Sequence, residues 1–439
     1  MDFTSEYYSL DPTKPTIGLL MMVKNEERRL HVSLNSVVGS VDAIIIYDTG
    51  STDKTLDIIK EFSKKHRINL YIKQGDFVDF STSRNVCLTF AESVNVHYLL
   101  LLDCNDELQG GKNLKRFAQS FLDKENTGFL VCQQWWCGQL DKYYNVRFIR
   151  NRCGWRYRGS VHEWMKDTNS PSENSCFPII RLTDDVVLYQ DRTQDDDKTG
   201  KRFNRDRELL LKEYKADPKE PRTIFYLAQT CQCLGLHDEA LYYSKLRLEL
   251  AGFVEERFHS YMRCGTSAMA LGHSWSDCMS WFLKAYEEFD RAEPLVKIAD
   301  LYRHKATVEK NGSSTNLWKM AYMYIKQACQ LSYPEHCILF VDKGAYTYYR
   351  WHLMSIIAMN VGELQEGKEA CLKAIADGTN KEMNEKNLAV YLAKEKEIVN
   401  TITKSQFMNK TMADLKKQFP QVQEAQLVKR ANAMWKKRK

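Results

Sequence analysis

Apolar and polar positions follow two alternating rhythms in the first half of this chain and a single rhythm in the second. Short unbroken apolar runs occur at Thr16–Met22, Val41–Tyr47, Asn69–Lys73 and Tyr98–Leu102. Runs of that length read as buried strands. Between them lie segments with helical spacing: Glu26–Val38, Lys54–Lys64 with apolar residues at 56, 58, 59 and 62, and Ser81–Ser93. Thr52 or Asp53 suits the cap of the second helix and Ser81 that of the third. Strand–helix alternation at this spacing predicts βαβ units and a mainly parallel sheet.

Phe129 to Ser170 breaks the alternation. It is rich in strand formers and aromatics, among them Trp135, Trp136, Tyr143, Tyr144, Phe148, Trp155 and Tyr157. It reads as extended structure that finishes the sheet and shapes a pocket. Trp135, Trp136 and Trp155 suit either an aromatic stacking wall or a buried core. Ser170–Ser175 reads as a loop. Asp184–Lys201 is dense in charge around Asp195-Asp196-Asp197 and reads as a domain junction, its acidic triplet better explained by a solvated loop than by a metal site.

From about residue 201 the pattern is helical throughout. Leu227, Ala228, Gly235 and Ala240 resemble a helix pair; Gly265, Gly272 and Ala285 form a second set, and Ser355, Gly362, Gly367 and Ala374 a later one. Gly235 and Gly272 are 37 residues apart, near the ~34-residue tetratricopeptide period. Small residues allow close helix approach, and the glycines end the first helix of each pair. The expected organisation is 1–195 for the α/β domain, 196–400 for the helical repeats, and 401–439 for a polar, basic helical tail. That tail, with Trp435 among its basic residues, suits a solvated helix or, less well, a weak contact with an anionic membrane or an acidic partner.

Composition narrows the class. The chain has 439 residues, a formal charge of +6, 44% apolar and 27% charged residues, which is the profile of a globular protein with ample core. The charge is too mild and too dispersed to imply nucleic acid. No secretion signal is visible, and no stretch reaches the ~18 apolar residues of a membrane helix. The 13 cysteines are scattered, without zinc or redox spacing. Buried thiols in a reducing, cytoplasmic setting are expected.

Chemistry gathers at the strand ends. The run Tyr98–Leu102 stops abruptly at Asp103-Cys104-Asn105-Asp106. Acids at the carboxyl edge of an open α/β sheet lie where such folds bind ligands, and a divalent cation carrying a diphosphate suits them. Asn25 follows the first strand and offers a donor and an acceptor to a base. Asp48 opens the loop Asp48-Thr-Gly-Ser-Thr-Asp53 and suits a uracil or a ribose, ahead of an electropositive helix start. Arg84, in Ser83-Arg84-Asn85, suits a base or phosphate.

Taken together, "MMVKNEE", "YDTGSTDKT", "SRN" and "LLLLDCNDEL" resemble the family 2 glycosyltransferases of the GT-A fold over roughly residues 15–165, in order and approximate spacing. The helical half resembles that of glycosyltransferases with appended tetratricopeptide-like repeats, including the sublancin S-glycosyltransferase group. The resemblance implies a Rossmann-like α/β GT-A domain followed by an all-α repeat domain. It also implies a nucleotide-sugar donor, taken as a UDP-sugar, with Mn²⁺ or Mg²⁺ on the diphosphate. Asn25, Asp48, Arg84 and Asp103 would hold the nucleotide; Asp103, Asn105, Asp106 and His162 would surround the cation. Related enzymes carry a Gly-x-Val-His-Glu string like Gly159-Ser-Val-His162-Glu163, which makes Glu163 the candidate base for an inverting displacement by an acceptor hydroxyl or thiol. His162 and Glu163 both serve the site only if the chain turns at Gly159.

Asn105 departs from the usual "LDADDEL", since it brings no charge to a cation. The absence of a QxxRW-type motif and of a membrane span argues against a processive synthase. The implied acceptor is a glycan, peptide or protein, and the repeats would position it or mediate homo-oligomerisation. The rival is a non-catalytic repeat scaffold with a degenerate transferase domain. A nucleotidyltransferase is disfavoured by Lys24-Asn-Glu-Glu where a triphosphate-gripping loop belongs.

Overall fold

The computed structural model describes residues 3–4, 8–9, 13–136, 140–169, 180–183, 185–191, 199–309 and 314–438. The Ser170–Ser175 loop and the Asp195–Asp197 triplet lie outside them. The strands and helices in chain order are β1 Phe3–Thr4, β2 Ile17–Val23, α1 Leu30–Ser36, β3 Ala43–Asp48, α2 Thr55–His66, β4 Asn69–Gln74, α3 Phe80–Glu92, β5 Tyr98–Leu101, β6 Glu107–Gln109, α4 Gly111–Ser120, β7 Gly128–Trp136, β8 Leu140–Arg150, β9 Trp155–Arg158, β10 Trp164–Asp167, β11 Ile180–Arg181 and β12 Val187–Asp191. Helices follow: α5 Thr199–Ala216, α6 Pro221–Cys233, α7 His237–Glu249, α8 Val254–Ala270, α9 Trp275–Glu288, α10 Ala292–Val308, α11 Ser314–Gln330, α12 Lys343–Tyr346, α13 Tyr349–Val361, α14 Leu364–Asp377, α15 Lys381–Gln418 and α16 Glu424–Arg438.

Ten strands form the main sheet in the order β1-β4-β3-β2-β5-β8-β7-β12-β6, with β11 added beside β7. β4, β3, β2 and β5 run parallel, whereas β8 is antiparallel to both β5 and β7. Strands advance from β2 through β3 to β4 on one side, and β5 lies on the other side of β2. The carboxyl ends of β2 and β5 therefore meet at the switch point, the usual crevice for ligands in such sheets.

Side chains alternate between two cores, as a pleated sheet requires. Leu19, Met21, Ile44, Ile46 and Leu100 pack with Leu30 and Leu34 of α1, Ile59 of α2 and Leu114 of α4. Leu20, Ile45, Leu99 and Leu101 pack with Cys87, Leu88 and Ala91 of α3 and with Trp155, Tyr157 and Met165 of the β9–β10 hairpin. Burial on both faces explains why these strands read as continuous apolar runs.

The local readings differ at helix starts. The segment Glu26–Val38 becomes helical only over α1, because its first residues brace the loop after β3. Asn25 is left-handed at φ 55, Glu26 N–H donates to Thr55 Oγ1 (2.7 Å), and Glu27 Oε2 accepts from Lys54 N–H (3.1 Å). In α2 the cap position is Lys54, without a side-chain bond; Asp53 instead accepts from Thr55 N–H (3.0 Å). Asp79 caps α3 through Thr82 N–H (2.7 Å), and Ser81 lies inside the helix.

The chain divides into two compact units, one of residues 1–290 with 334–341, the other of 291–333 with 342–439. In the first, α6 to α9 form helix pairs. The first helices of successive pairs touch at a fixed offset: Arg222 with Glu256, Gln229 with Arg263, and Gln232 with Thr266. That offset of 34 residues is the tetratricopeptide period. Gly235 and Gly272, at φ 74 and 71, end α6 and α8 as expected. Residues 334–341 lie along the same unit, where buried Glu255 of α8 accepts from Ile338 and Leu339 N–H. In the second unit α10–α11, α13–α14 and α15–α16 pair, and Phe407 packs on Trp435 with ring centroids 5.2 Å apart.

Candidate active site

β5 delivers Asp103 to the switch point, α3 delivers Arg84, and the turn between β9 and β10 delivers Glu163. Gly159 at φ 88 and His162 at φ 50 make that turn, as the argument from alternation requires. Arg84 joins the three. Its Nη2 donates to Asp103 Oδ1 (2.5 Å), and its Nε is 2.8 Å from Glu163 Oε1. A second guanidinium, Arg147 on β8, donates from Nη2 to Asp103 Oδ2 (3.1 Å). The hairpin is tied to α3 by a reciprocal pair of bonds between the Asn85 amide and the Tyr157 backbone, at 2.9 and 2.7 Å. Arg84 also lies over the Tyr157 ring, 5.4 Å from its centroid.

The electrostatics follow from this clamp. Burial alone raises a carboxyl pKa, but Arg84 and then Arg147 outweigh it and hold Asp103 well below the usual carboxylate range. Asp106 behaves oppositely. It is wholly buried, and burial followed by the charge of Asp103 pushes it up to about 6. Its Oδ2 accepts from Asp103 N–H (2.8 Å) and its Oδ1 from Gln190 Nε2 of β12 (2.6 Å), which also donates to Asn105 Oδ1 (3.1 Å). Asp106 thus braces the turn that presents Asp103.

At the ends of β2 and β3, Asn25 and Asp48 build one crevice wall. Asn25 Oδ1 accepts from Thr52 N–H (2.8 Å), and its own N–H donates to Ser51 Oγ (3.0 Å). Asp48 is fully buried and accepts from Ser51 N–H (3.1 Å) and Gln74 Nε2 (3.1 Å). Gly50, at φ 94, makes the turn between them.

His162 turns away from Glu163. Its ring stacks on Tyr226 of α6 at 4.2 Å and 7°. Burial, then Arg222 and Arg202, push it down to about 4, so the imidazole is neutral at pH 7. The four residues expected around a cation therefore form no ready ligand set. Asp106 has no exposed surface and His162 faces α6; Asp103 and Asn105 are partly exposed. Among the described residues no group of three or more His, Cys, Asp and Glu is placed to hold an ion.

Nor do the three tryptophans form one wall. Trp155 lies in the core and donates to Thr127 Oγ1 (3.2 Å); Trp135 meets Tyr143 edge-on, and Trp136 is exposed. Arg147 and Gln190 were not apparent from the sequence. Both lie on strands that join the sheet from far along the chain.

A mainly parallel sheet with an acid at its switch point, a clamping arginine and a carboxylate on a facing hairpin has the layout of a GT-A-type transferase domain. Residues 19–182 match Glycosyl transferase family 2. It is 25% identical over 234 residues to the SPbeta prophage-derived glycosyltransferase SunS of Bacillus subtilis, covering 53% of each chain. A TPR repeat-containing protein of Synechococcus elongatus is 32% identical over 156 residues, 35% of this chain and 36% of that one. The chain thus spans about half the length, or less, of these curated relatives. Among solved structures it is similar to YrrB, a TPR protein, with a TM-score of 0.33, 15% identity, and 43% and 85% of the two chains covered. No helix among the described residues is long and apolar enough to cross a membrane.

Proposed function

We propose that this protein transfers a sugar, with inversion, from a UDP-sugar to an acceptor hydroxyl or thiol, with residues 1–195 as the catalytic domain. The observation that carries the reading is the Arg84 bridge, which ties the strand-end acid Asp103 and the hairpin carboxylate Glu163 to one guanidinium. Asn25 and the Asp48 loop receive the base and ribose. The diphosphate lies toward Asp103 and Arg147. Nε and Nη1 of Arg147 are buried and have no hydrogen-bond partner among the described residues, which suits them to the negative charge that grows on a leaving diphosphate. Family 2 enzymes generally use a divalent metal. Among the described residues no cage for one is formed, and the charge on the leaving group is assigned to the arginines.

Glu163 removes the acceptor proton as the nucleophile attacks the anomeric carbon opposite the diphosphate. The helices from residue 196 onward position a glycan, peptide or protein acceptor. The test is UDP binding by thermal shift together with transfer by Glu163→Gln. UDP should raise the melting temperature of both the parent and the variant, while the variant loses at least ~100-fold in transfer, the lower range for a general base. A flat response to UDP, GDP and their sugars would defeat the transferase reading. A variant that transfers at the parental rate would remove Glu163 as the base.

A further inference from the structure

The β9–β10 turn that carries Glu163 is seated on the helix pairs of its own unit. Val161 packs with Leu210, Leu227 and Cys231, Ser160 Oγ donates to Glu213 Oε2 (2.9 Å), and the His162 ring covers Tyr226. Behind Tyr226, on the face where α6 and α8 meet at the 34-residue offset, lies Arg263. It is 6% exposed, with its guanidinium 4.9 Å from the Phe225 ring centroid. The guanidinium's one hydrogen bond among the described residues is a long one, from Nη2 to Gln229 Oε1 (3.4 Å). Nε and Nη1 have no partner among the described residues, nor does Arg263 form an ion pair there.

The neighbouring acids are already taken. Glu256 is paired with Arg247 (3.0 Å) and Arg222 (3.2 Å), and Glu163 with Arg84. Arg222 is 26% exposed on its side chain, and its Nε is also unpartnered among the described residues. Arg202 adds further positive charge toward His162. The Arg222 guanidinium is 5.0 Å from the centroid of the Tyr226 ring, on which His162, the chain neighbour of Glu163, stacks, so the cationic group lies against the turn that carries the candidate base.

A buried guanidinium without an anion is costly, and folds supply the missing charge from within or from a ligand. Among the described residues the fold supplies none. The planar N–H fork matches a carboxylate or a phosphate. We infer that Arg263, with Arg222 at the open side, binds an oxyanion group carried by the acceptor, next to Glu163. The assignment to the acceptor rests on the proposed function. The donor elements Asn25, Asp48 and Asp103 lie at the sheet edge, whereas this cluster lies on the repeat side of the Glu163 turn.

The experiment uses the full chain saturated with UDP and compares sodium phosphate, sodium acetate and sodium chloride at equal ionic strength. A millimolar site at about tenfold ligand excess raises the melting temperature by roughly 3 °C above the chloride control. Phosphate or acetate should give that rise in the parent, and Arg263→Met should abolish it. A larger response to phosphate marks a phosphorylated acceptor; a larger response to acetate marks a carboxylate-bearing one. In chloride, Arg263→Met should melt no lower than the parent, because it removes a buried charge that has no counter-ion. The inference is overturned if neither anion shifts the parent, if the variant responds like the parent, or if the variant melts several degrees lower in chloride. UDP binding of the unaltered chain in chloride reads the donor site alone, so its absence defeats the proposed function and leaves the anion result standing.

Discussion

Replacing Asp103 with asparagine should destabilise the fold by itself, before any substrate is considered. Arg84 and Arg147 each have only 12% of their side chains exposed, and Asp103 has 30%. In Asp103→Asn, Arg84 keeps its pair with Glu163. Arg147 keeps none, since Asp103 is its one ion-pair partner among the described residues and Nε and Nη1 are already unpartnered there. Breaking a buried pair from one side costs about 3–5 kcal/mol; the partial exposure of Asp103 argues for the lower end, about 3 kcal/mol. For a domain of this size that is a fall of about 6 °C in melting temperature.

The pH dependence has a definite sign. The Asp103 pKa is depressed in the folded state, so its contribution is complete above the ordinary carboxylate range and is lost as pH falls through the folded value. The full effect is therefore present at pH 7. The decisive assay is a double-mutant cycle with Arg147→Met, read by thermal or urea melting without ligand. If the cost is an orphaned guanidinium, Asp103→Asn with Arg147→Met should be more stable than Asp103→Asn alone. A single variant within about 1 °C of the parent, or a double variant that melts no higher than the single, would refute the clamp as a source of stability.

Asp106→Asn should be relatively more favourable at pH 8 than at pH 4. The folded pKa is raised to about 6, so the parental carboxyl costs stability as pH climbs between the unfolded and folded values, on the order of 2–3 kcal/mol once above both. Urea unfolding of both chains at the two pH values checks this, and equal differences would show that Asp106 is not strained by its charge. Asn105→Asp should make UDP binding depend more on Mn²⁺. The parent should gain less than about threefold in affinity on adding Mn²⁺, and the variant at least about tenfold, because a carboxylate then stands beside Asp103. Calorimetric titration of UDP with Mn²⁺ and with EDTA decides it; a parent that already gains tenfold would show that Asp103 leaves its arginines to bind the ion.

The sheet was legible because burial on both faces leaves a strong mark. Ile44, Ile45 and Ile46 of β3 and the leucines of β5 are all buried, and no amphipathic helix tolerates such a run. The glycines of the repeats were legible for a similar reason: a left-handed residue after each first helix is a backbone requirement, met at Gly235, Gly272 and Gly362. Helix starts were less legible, because caps compete with tertiary contacts. The Asn25–Glu27 segment has helical spacing, yet its polar groups are used across the crevice on Ser51, Thr52 and Lys54.

The site was only half legible, and the division is physical. Asn25, Asp48, Asp103 and Glu163 follow strands or turns, and the order of strands on a parallel sheet brings such ends together. The residues that set their charge come from elsewhere. Arg147 looks in sequence like one more polar residue alternating with Val146 and Phe148, and only the antiparallel pairing of β8 with β5 places it beside Asp103. Gln190 reaches Asp106 across 84 residues, and Arg263 meets Gln229 through the repeat offset. A carboxylate motif can be read from a local string, but whether its members end as ligand, brace or counter-ion depends on cations that the string does not contain. In this chain Asp103 is paired with two arginines and Asp106 braces its turn, while Arg147 and Arg263 each keep two donors, Nε and Nη1, that no described residue fills. In the proposed assignment Arg147 serves the donor diphosphate and Arg263 the acceptor. A transferase that must hold two anionic groups apart while an uncharged centre moves between them needs cations in those two places.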